Sequence, residues 1–377
     1  MNKLLKLRHT LHANPELSGN EYETAGRITD ELARYKPDDI IDNLGGAGVM
    51  AVFKGAGSTA DKHLLFRAEL DAIAVEEETG ASYASKNSGV MHACGHDGHM
   101  TIISGLAGQI SKNRPENVNI YLLFQPAEET GQGASAVMGD ERFSSINFDH
   151  AFALHNLPGF DENKIYVKSG AFASASAGVE ISLKGAYSHA AYPEQGVNPA
   201  ETVAALIQKI EQKLKPFKEA ANLNKAVCTF IKMGEPAFGI SPGSARLGYT
   251  IRSATDDGLQ EGIETIKQVF EKGKKRFHGD AVLRIVEPFK ATVNSENGVD
   301  ILKKAAQRCN VPVTDLDDAF PWSEDFGEFR NVCPITIFGL GAGINHPPLH
   351  SERYDFNDSL IETGIQLFSA LIKEYSS

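Results

Sequence analysis

Apolar and polar positions follow one another in blocks along this chain, and the period of each block predicts an element. Leu4, Leu5, Leu7 and Leu11 fall on one helical face across residues 2–13, and Pro15 ends that run. Residues 20–35 predict a second helix, with Glu21 and Glu23 in an acidic first turn. Residues 48–54 (GVMAVFK) and 63–68 (HLLFRA) are short apolar runs bounded by glycine and polar residues, the mark of strands. Residues 99–112 predict a helix. Residues 117–125 (NVNIYLLFQ) form a near-continuous apolar run, as in a strand buried on both faces, and residues 149–155 (DHAFALH) form another. Strands alternating with helices predict an α/β domain, with a mostly parallel mixed sheet flanked by helices.

The pattern changes at about residue 169. A strand (residues 178–184), a helix (198–214, with Val203, Ile207, Ile210 and Leu214 on one face), two strands (226–233 and 245–253), a helix (258–277) and a strand (281–287) follow in turn. This β-α-β-β-α-β order is the ferredoxin-like unit, which folds as its own layer. It therefore predicts an inserted domain at residues 169–288, interrupting a catalytic domain built from residues 1–168 and 289–377. In the last segment, residues 299–309 return to helix, 335–339 to strand and 360–372 to a closing helix.

A length of 377 residues fits two or three domains, and 42% hydrophobic with 23% charged residues is a globular balance. The net charge of −12 opposes nucleic acid and anionic membranes as partners. No apolar stretch approaches the roughly 20 residues of a membrane span. Lys3, Lys6 and Arg8 lead into no apolar h-region, so no secretory leader is expected. Cys94, Cys228, Cys309 and Cys333 are too far apart for a disulfide framework, and a cytoplasmic location follows as the expectation.

Chemistry concentrates in MHACGHDGHM, residues 91–100, which holds His92, Cys94, His96, Asp97 and His99. Thiolate and imidazole suit zinc and its neighbours. The alternative is a turn with solvated histidines. In an extended turn Cys94 and His96 point the same way and make the best ligand pair. Asp97 is then a bridge or an orienting residue, and His99 starts the following helix. FQPAEETGQG places Glu128 and Glu129 after a buried strand and before a glycine-rich turn, where open α/β sheets put their sites. Neighbouring side chains diverge, so one carboxylate can hold a metal while the other faces water. His155 again follows a strand. His350 lies in a proline-rich turn, where His346 competes with it and position alone does not decide. Gly339, Gly341 and Gly343 resemble a dinucleotide loop, but Pro347 and Pro348 forbid the helix such a loop needs. No serine-hydrolase elbow and no Walker loop is present.

With these residues in view, the chain resembles the amidohydrolase branch of the dinuclear-metal aminoacylase and carboxypeptidase superfamily, whose members include hippurate hydrolases, N-acetyl-diaminopimelate deacetylases and indoleacetyl-amino-acid hydrolases. LHANPELSGNE, FRAELDAIAVEEETG, MHACGHDGHM, FQPAEETGQGA, LHNLPG, SHAAYPEQGVNPAE, SEDFGEF and FGLGAG followed by LHSERYDFND carry the resemblance nearly end to end. It implies that Cys94, His96, Glu129, His155 and His350 bind two divalent metal ions (zinc, manganese, cobalt or nickel). His350 is preferred to His346 by its place in HSERYDF. The resemblance makes Glu128 the general acid/base toward a metal-bound water and the insert a lid; relatives include both monomers and dimers, and a homodimer paired through the lid's edge strands is the expectation here. His189 and Arg252 of that lid match substrate-contacting positions. In one departure, Gly239 stands where relatives carry asparagine, which bears on substrate contacts and leaves the metal residues intact. The expected activity is hydrolysis of an amide bond in small N-acyl amino acids. A dipeptidase or carboxypeptidase on the same site is the alternative, and a catalytically silent metal- or peptide-binding protein a further one.

Overall fold

The computed structural model describes residues 1–57, 60–220 and 223–376. They form two compact units, one of residues 1–172, 292–318 and 324–377, the other of residues 173–291 and 319–323.

The first unit is built on an eight-stranded mixed sheet. Its strand order is Asp39–Leu44, Gly48–Phe53, Val118–Gln125, Lys62–Glu69, His150–Pro158, Ile335–Gly343, Ile165–Val167 and Val313–Asp315. The four central strands, from Val118–Gln125 to Ile335–Gly343, run parallel, so their carboxyl ends share one edge. Burial on both faces explains their unbroken apolar runs: Ile120 to Gln125 and Ala151 to Leu157 are all buried. The helices Asn2–His12, Tyr22–Ala33, His96–Lys112, Glu296–Cys309 and Leu360–Ser376 supply the rest of the core. Phe66, at the middle of the sheet, meets Phe152 at 5.7 Å and Phe368 of the closing helix at 5.2 Å.

The elements differ from expectation in a few places. The helix begins at His96 rather than His99, because Gly95 in the left-handed region (φ 90°) turns the chain before the helix starts. The strands Asp39–Leu44, Ile165–Val167 and Val313–Asp315 escaped the periodicity, being half-exposed or only three residues long. Gly339 and Gly341 lie inside the strand Ile335–Gly343, where an added Cβ would strike Leu157 and the Asp161 carbonyl. Close packing, not a nucleotide loop, explains them.

The second unit is a four-stranded antiparallel sheet in the order Asn224–Met233, Ser244–Ser253, Ala175–Lys184 and Asp280–Phe289, with the helices Ala200–Glu219 and Asp256–Lys274. It also recruits residues 319–323. Ser174 N donates to the carbonyls of Phe320 and Trp322, and Arg252 donates to the Pro321 carbonyl (3.1 Å) and Ser323 Oγ (3.0 Å). These bonds are non-local, so no local pattern announces that return segment.

His150 illustrates a burial effect on stability. It is buried, stacked on Phe152 at 4.3 Å, with Nε2 bonded to Thr336 Oγ1 at 2.9 Å. Burial pushes its pKa down to about 4. An unfolded histidine titrates near ~6.5, so the unfolded chain binds the proton first. The contribution is fully present above that value and is lost as pH falls toward 4. His150→Leu is therefore expected to lose less thermal stability between pH 7 and pH 4.5 than the parent chain in scanning calorimetry. Equal losses would show that His150 does not matter to acid sensitivity.

Candidate metal centre

The parallel strands deliver the polar residues to one edge. Asp71 follows the strand Lys62–Glu69, Glu128 and Glu129 follow Val118–Gln125, His155 lies near the end of its strand, and His350 follows Ile335–Gly343. The loop ending at Gly95 brings in Cys94 and His96. Only glycine fits there, since a Cβ would collide with Asn156 Oδ1 and Tyr354 Oη. His350 adopts the left-handed region (φ 65°), and its N–H donates to the Ala93 carbonyl at 2.8 Å, tying the late segment to the cysteine loop. Ala127 is also left-handed (φ 51°) and turns the chain so that Glu128 and Glu129 project from consecutive positions.

Ligand-type atoms converge here in overlapping groups: Cys94, His96 and His155; Cys94, Glu129 and His350; His96, Glu128 and Glu129. Within each group the atoms lie within 4.8 Å of one another. Cys94 Sγ is 3.5 Å from His155 Nε2. Glu129 Oε1 is 3.9 Å from His96 Nε2 and 3.6 Å from His350 Nε2. All six first-unit residues expected from the sequence thus meet at one place. His346 does not; its Nδ1 faces the Pro347 carbonyl. His189 and Arg252 belong to the second unit. His189 is exposed on a two-residue strand paired with Ile240–Ser241, and its Nδ1 accepts from Ala191 N at 3.0 Å.

The tautomers suit metal binding. His96 Nδ1 donates to the Asp71 carbonyl (2.8 Å) and His155 Nδ1 to the Asn156 carbonyl (2.8 Å), so each neutral ring presents Nε2 as a lone pair. His96 Nε2 and Glu129 Oε1 are buried with no hydrogen-bond partner. Buried polar atoms of this kind are rare in folded proteins and call for a ligand. The electrostatics agree. Burial lowers the His96 pKa, yet Asp71, Glu69 and Glu129 outweigh it and push the ring up to about 10. Burial, with Glu129 and Glu128 nearby, holds the Cys94 thiol well above its ordinary range. The pocket carries negative charge that favours a cation, and a bound cation releases the thiol and imidazole protons. The residues therefore fit divalent metal.

Two expectations need correction. Cys94 and His96 do not share an extended turn; a left-handed glycine and a helix start bring their atoms together. Asp97 neither bridges nor orients this cluster. It accepts from His12 Nδ1 (2.7 Å), Arg8 Nη1 (3.4 Å) and Gly98 N (2.9 Å), fastening the N-terminal helix beneath the loop. The orienting carboxylate is Asp71 instead, which accepts from Glu129 N (3.0 Å) and Ser18 Oγ (2.7 Å). His99 uses both ring nitrogens on Glu69 (2.7 Å) and Asn156 Oδ1 (2.7 Å). These partners are distant in sequence. The one local trace of Asp71 is its place just past an apolar strand.

Glu128 lies beside this cluster and against a second set of carboxylates. Burial raises its pKa well above the carboxylate range, with Glu324 and Glu129 adding to the effect.

This chain is similar to known proteins over nearly its whole length. The profile of peptidase family M20/M25/M40 matches residues 65–374. A hippurate hydrolase of Campylobacter jejuni is 30% identical over 98% of this chain and 96% of its own length. An N-acetyldiaminopimelate deacetylase of Bacillus subtilis is 28% identical over 100% of this chain and 99% of its own. Among solved structures, a dinuclear metal-binding peptidase of the M20 family from Bacillus subtilis superposes with a TM-score of 0.80, at 24% identity over 98% of this chain and 97% of that one.

Proposed function

We infer the reaction from one premise: this chain belongs to peptidase family M20/M25/M40, and it is a metal-dependent amidohydrolase. We propose that its substrate is a small N-acyl amino acid and that two divalent ions serve the reaction. The observation carrying this reading is the convergence of Cys94, His96, Glu129, His155 and His350 around unpartnered His96 Nε2 and Glu129 Oε1, with Glu128 alongside. Those five residues would hold the metal. When bound, the metal polarises the amide carbonyl and lowers the pKa of water from ~16 toward ~7.

Glu128 does the proton transfer in this reading. Its carboxylate takes a proton from the attacking water and returns it to the nitrogen of the leaving amine. Burial and the neighbouring carboxylates raise its affinity for that proton. Asp71 and the Asn156 carbonyl keep the His96 and His155 rings turned for binding. From the second unit, His189 is proposed to stabilise the developing oxyanion. With Nδ1 accepting from Ala191 N, the neutral ring carries its proton on Nε2, free to donate. His189→Ala is expected to lower kcat with unchanged metal content, and an unchanged kcat would remove it from the mechanism. Arg252 is assigned to substrate binding with less scope, since Nη1 is already held by Pro321 and Ser323.

The second unit is further proposed as a lid and dimer surface. Its two edge strands expose apolar side chains, Val227 and Ile231 on one edge and Val282 and Ile285 on the other, and pairing of two copies along either edge would cover that edge's pair. A mass of one chain by light scattering would contradict this. Among the described residues no helix is long and apolar enough to cross a membrane. Four unpaired cysteines support a reducing compartment, and we assign the chain to the cytoplasm.

A panel of N-acetyl and N-benzoyl amino acids against dipeptides tests the substrate class. Preference for the acyl amino acids is expected. Cleavage of dipeptides alone would move the chain to the dipeptidase reading.

A further inference from the structure

Behind Glu128 lies a buried polar network that the reaction above does not use. Gln125 ends the strand Val118–Gln125 and is fully buried. Its Oε1 accepts from Arg67 Nε at 2.9 Å, and its Nε2 donates to Asp325 Oδ1 and Oδ2 at 2.9 and 2.8 Å. Arg67, also buried, donates to Asp325 Oδ1 (2.7 Å) and Glu324 Oε1 (2.8 Å) and pairs with Glu69. Ala134 N adds a bond to Asp325 Oδ2 at 2.9 Å. The Asp325 carboxylate is thus clamped by donors from three separate segments. Its backbone N–H reaches Glu128 Oε1 at 3.4 Å.

Gln125 also anchors the turn that presents Glu128. Only Pro126 and Ala127 separate them, and the turn passes through left-handed Ala127, whose N–H is held by Glu21 Oε1 at 2.8 Å. Ala127 O in turn accepts from Gln132 N and Gly133 N. Burying several carboxylates on one arginine is a poor device for stability alone, because apolar residues of similar volume are often as stabilising. It is a good device for fixing one carboxylate.

We propose that Gln125 and Asp325, fastened by Arg67, are positioning residues for Glu128, acting through the Asp325 N–H and the turn at residues 125–128. This rests on Glu128 being the general acid/base. A misplacement of ~1 Å at a reacting group lowers rate by roughly 100-fold.

Gln125→Glu tests it. The change is nearly isosteric and keeps the acceptor toward Arg67, but it turns the donor facing Asp325 into a repelling oxygen. kcat is expected to fall roughly 100-fold, with KM within about two-fold and metal content unchanged. Adding Asp325→Asn removes the facing negative charge, and the double variant is expected to recover part of kcat, since its amide nitrogen must face either Arg67 or Ala134 N. Should Gln125→Glu not fold, Gln125→Met removes the side-chain hydrogen bonds to Arg67, Asp325 and the Pro126 carbonyl without adding charge, and the same kcat loss at constant KM is expected. An unchanged kcat in the folded variant, while Glu128→Gln has lost turnover, overturns the proposal. So does a kcat loss matched by lost metal, or one that Asp325→Asn fails to restore even in part. Turnover retained by Glu128→Gln would instead sink the assignment of the base itself.

Discussion

Glu128→Gln is expected to retain bound metal and to lose turnover by ~100- to 10,000-fold, the range for removal of a general acid/base. Glutamine keeps the shape and the acceptor for Asp325 N but cannot carry the proton. The neighbouring carboxylates are poor substitutes. Glu324 and Asp325 are tied to Arg67, and Glu129 Oε1 faces His96 and His350. kcat and metal content measured on one sample decide the matter. Near-normal turnover would place the base elsewhere.

Glu129→Ala separates the adjacent carboxylates by their effects. Glu129 reaches two of the donor groups, one with Cys94 and His350 and one with His96 and Glu128. Its loss is expected to release metal on dialysis and to abolish hydrolysis at ordinary metal concentration. Metal binds the native state and stabilises it by mass action, so added metal should raise the Tm of the parent chain far more than that of the variant. Elemental analysis and melting curves with and without metal check this. A variant with full metal content and normal metal-dependent stabilisation would remove Glu129 from the centre.

The large sheet was legible because burial on both faces writes a continuous apolar run, as in residues 117–125 and 149–155. Strand ends then pointed to the edge where Glu128, Glu129 and His155 meet Cys94 and His96. His350 was ambiguous against His346 from position alone, since a turn's conformation is not written in apolar periodicity; its left-handed backbone and the bond to Ala93 bring it to Glu129. The outer shell was not legible. Arg67, Asp71 and Asp325 act through partners tens to hundreds of residues away, and a charged residue in a strand or loop reads locally as solvated. Asp97 was misread for the converse reason. It sits among the donors in sequence, while its hydrogen bonds go to Arg8 and His12. The return of residues 319–323 to the second unit depends on Ser174 and Arg252, again beyond local pattern.

The central claim is metal-dependent amide hydrolysis by this cluster. The most direct measurement is hydrolysis of an N-acyl amino acid by one preparation, stripped with chelator and then titrated with a divalent metal, with metal content followed by elemental analysis. The account predicts no hydrolysis in the stripped protein and recovery that rises with bound metal, levelling at about two ions per chain. Full hydrolysis by metal-free protein, or a chain that takes up no metal at all, would contradict it.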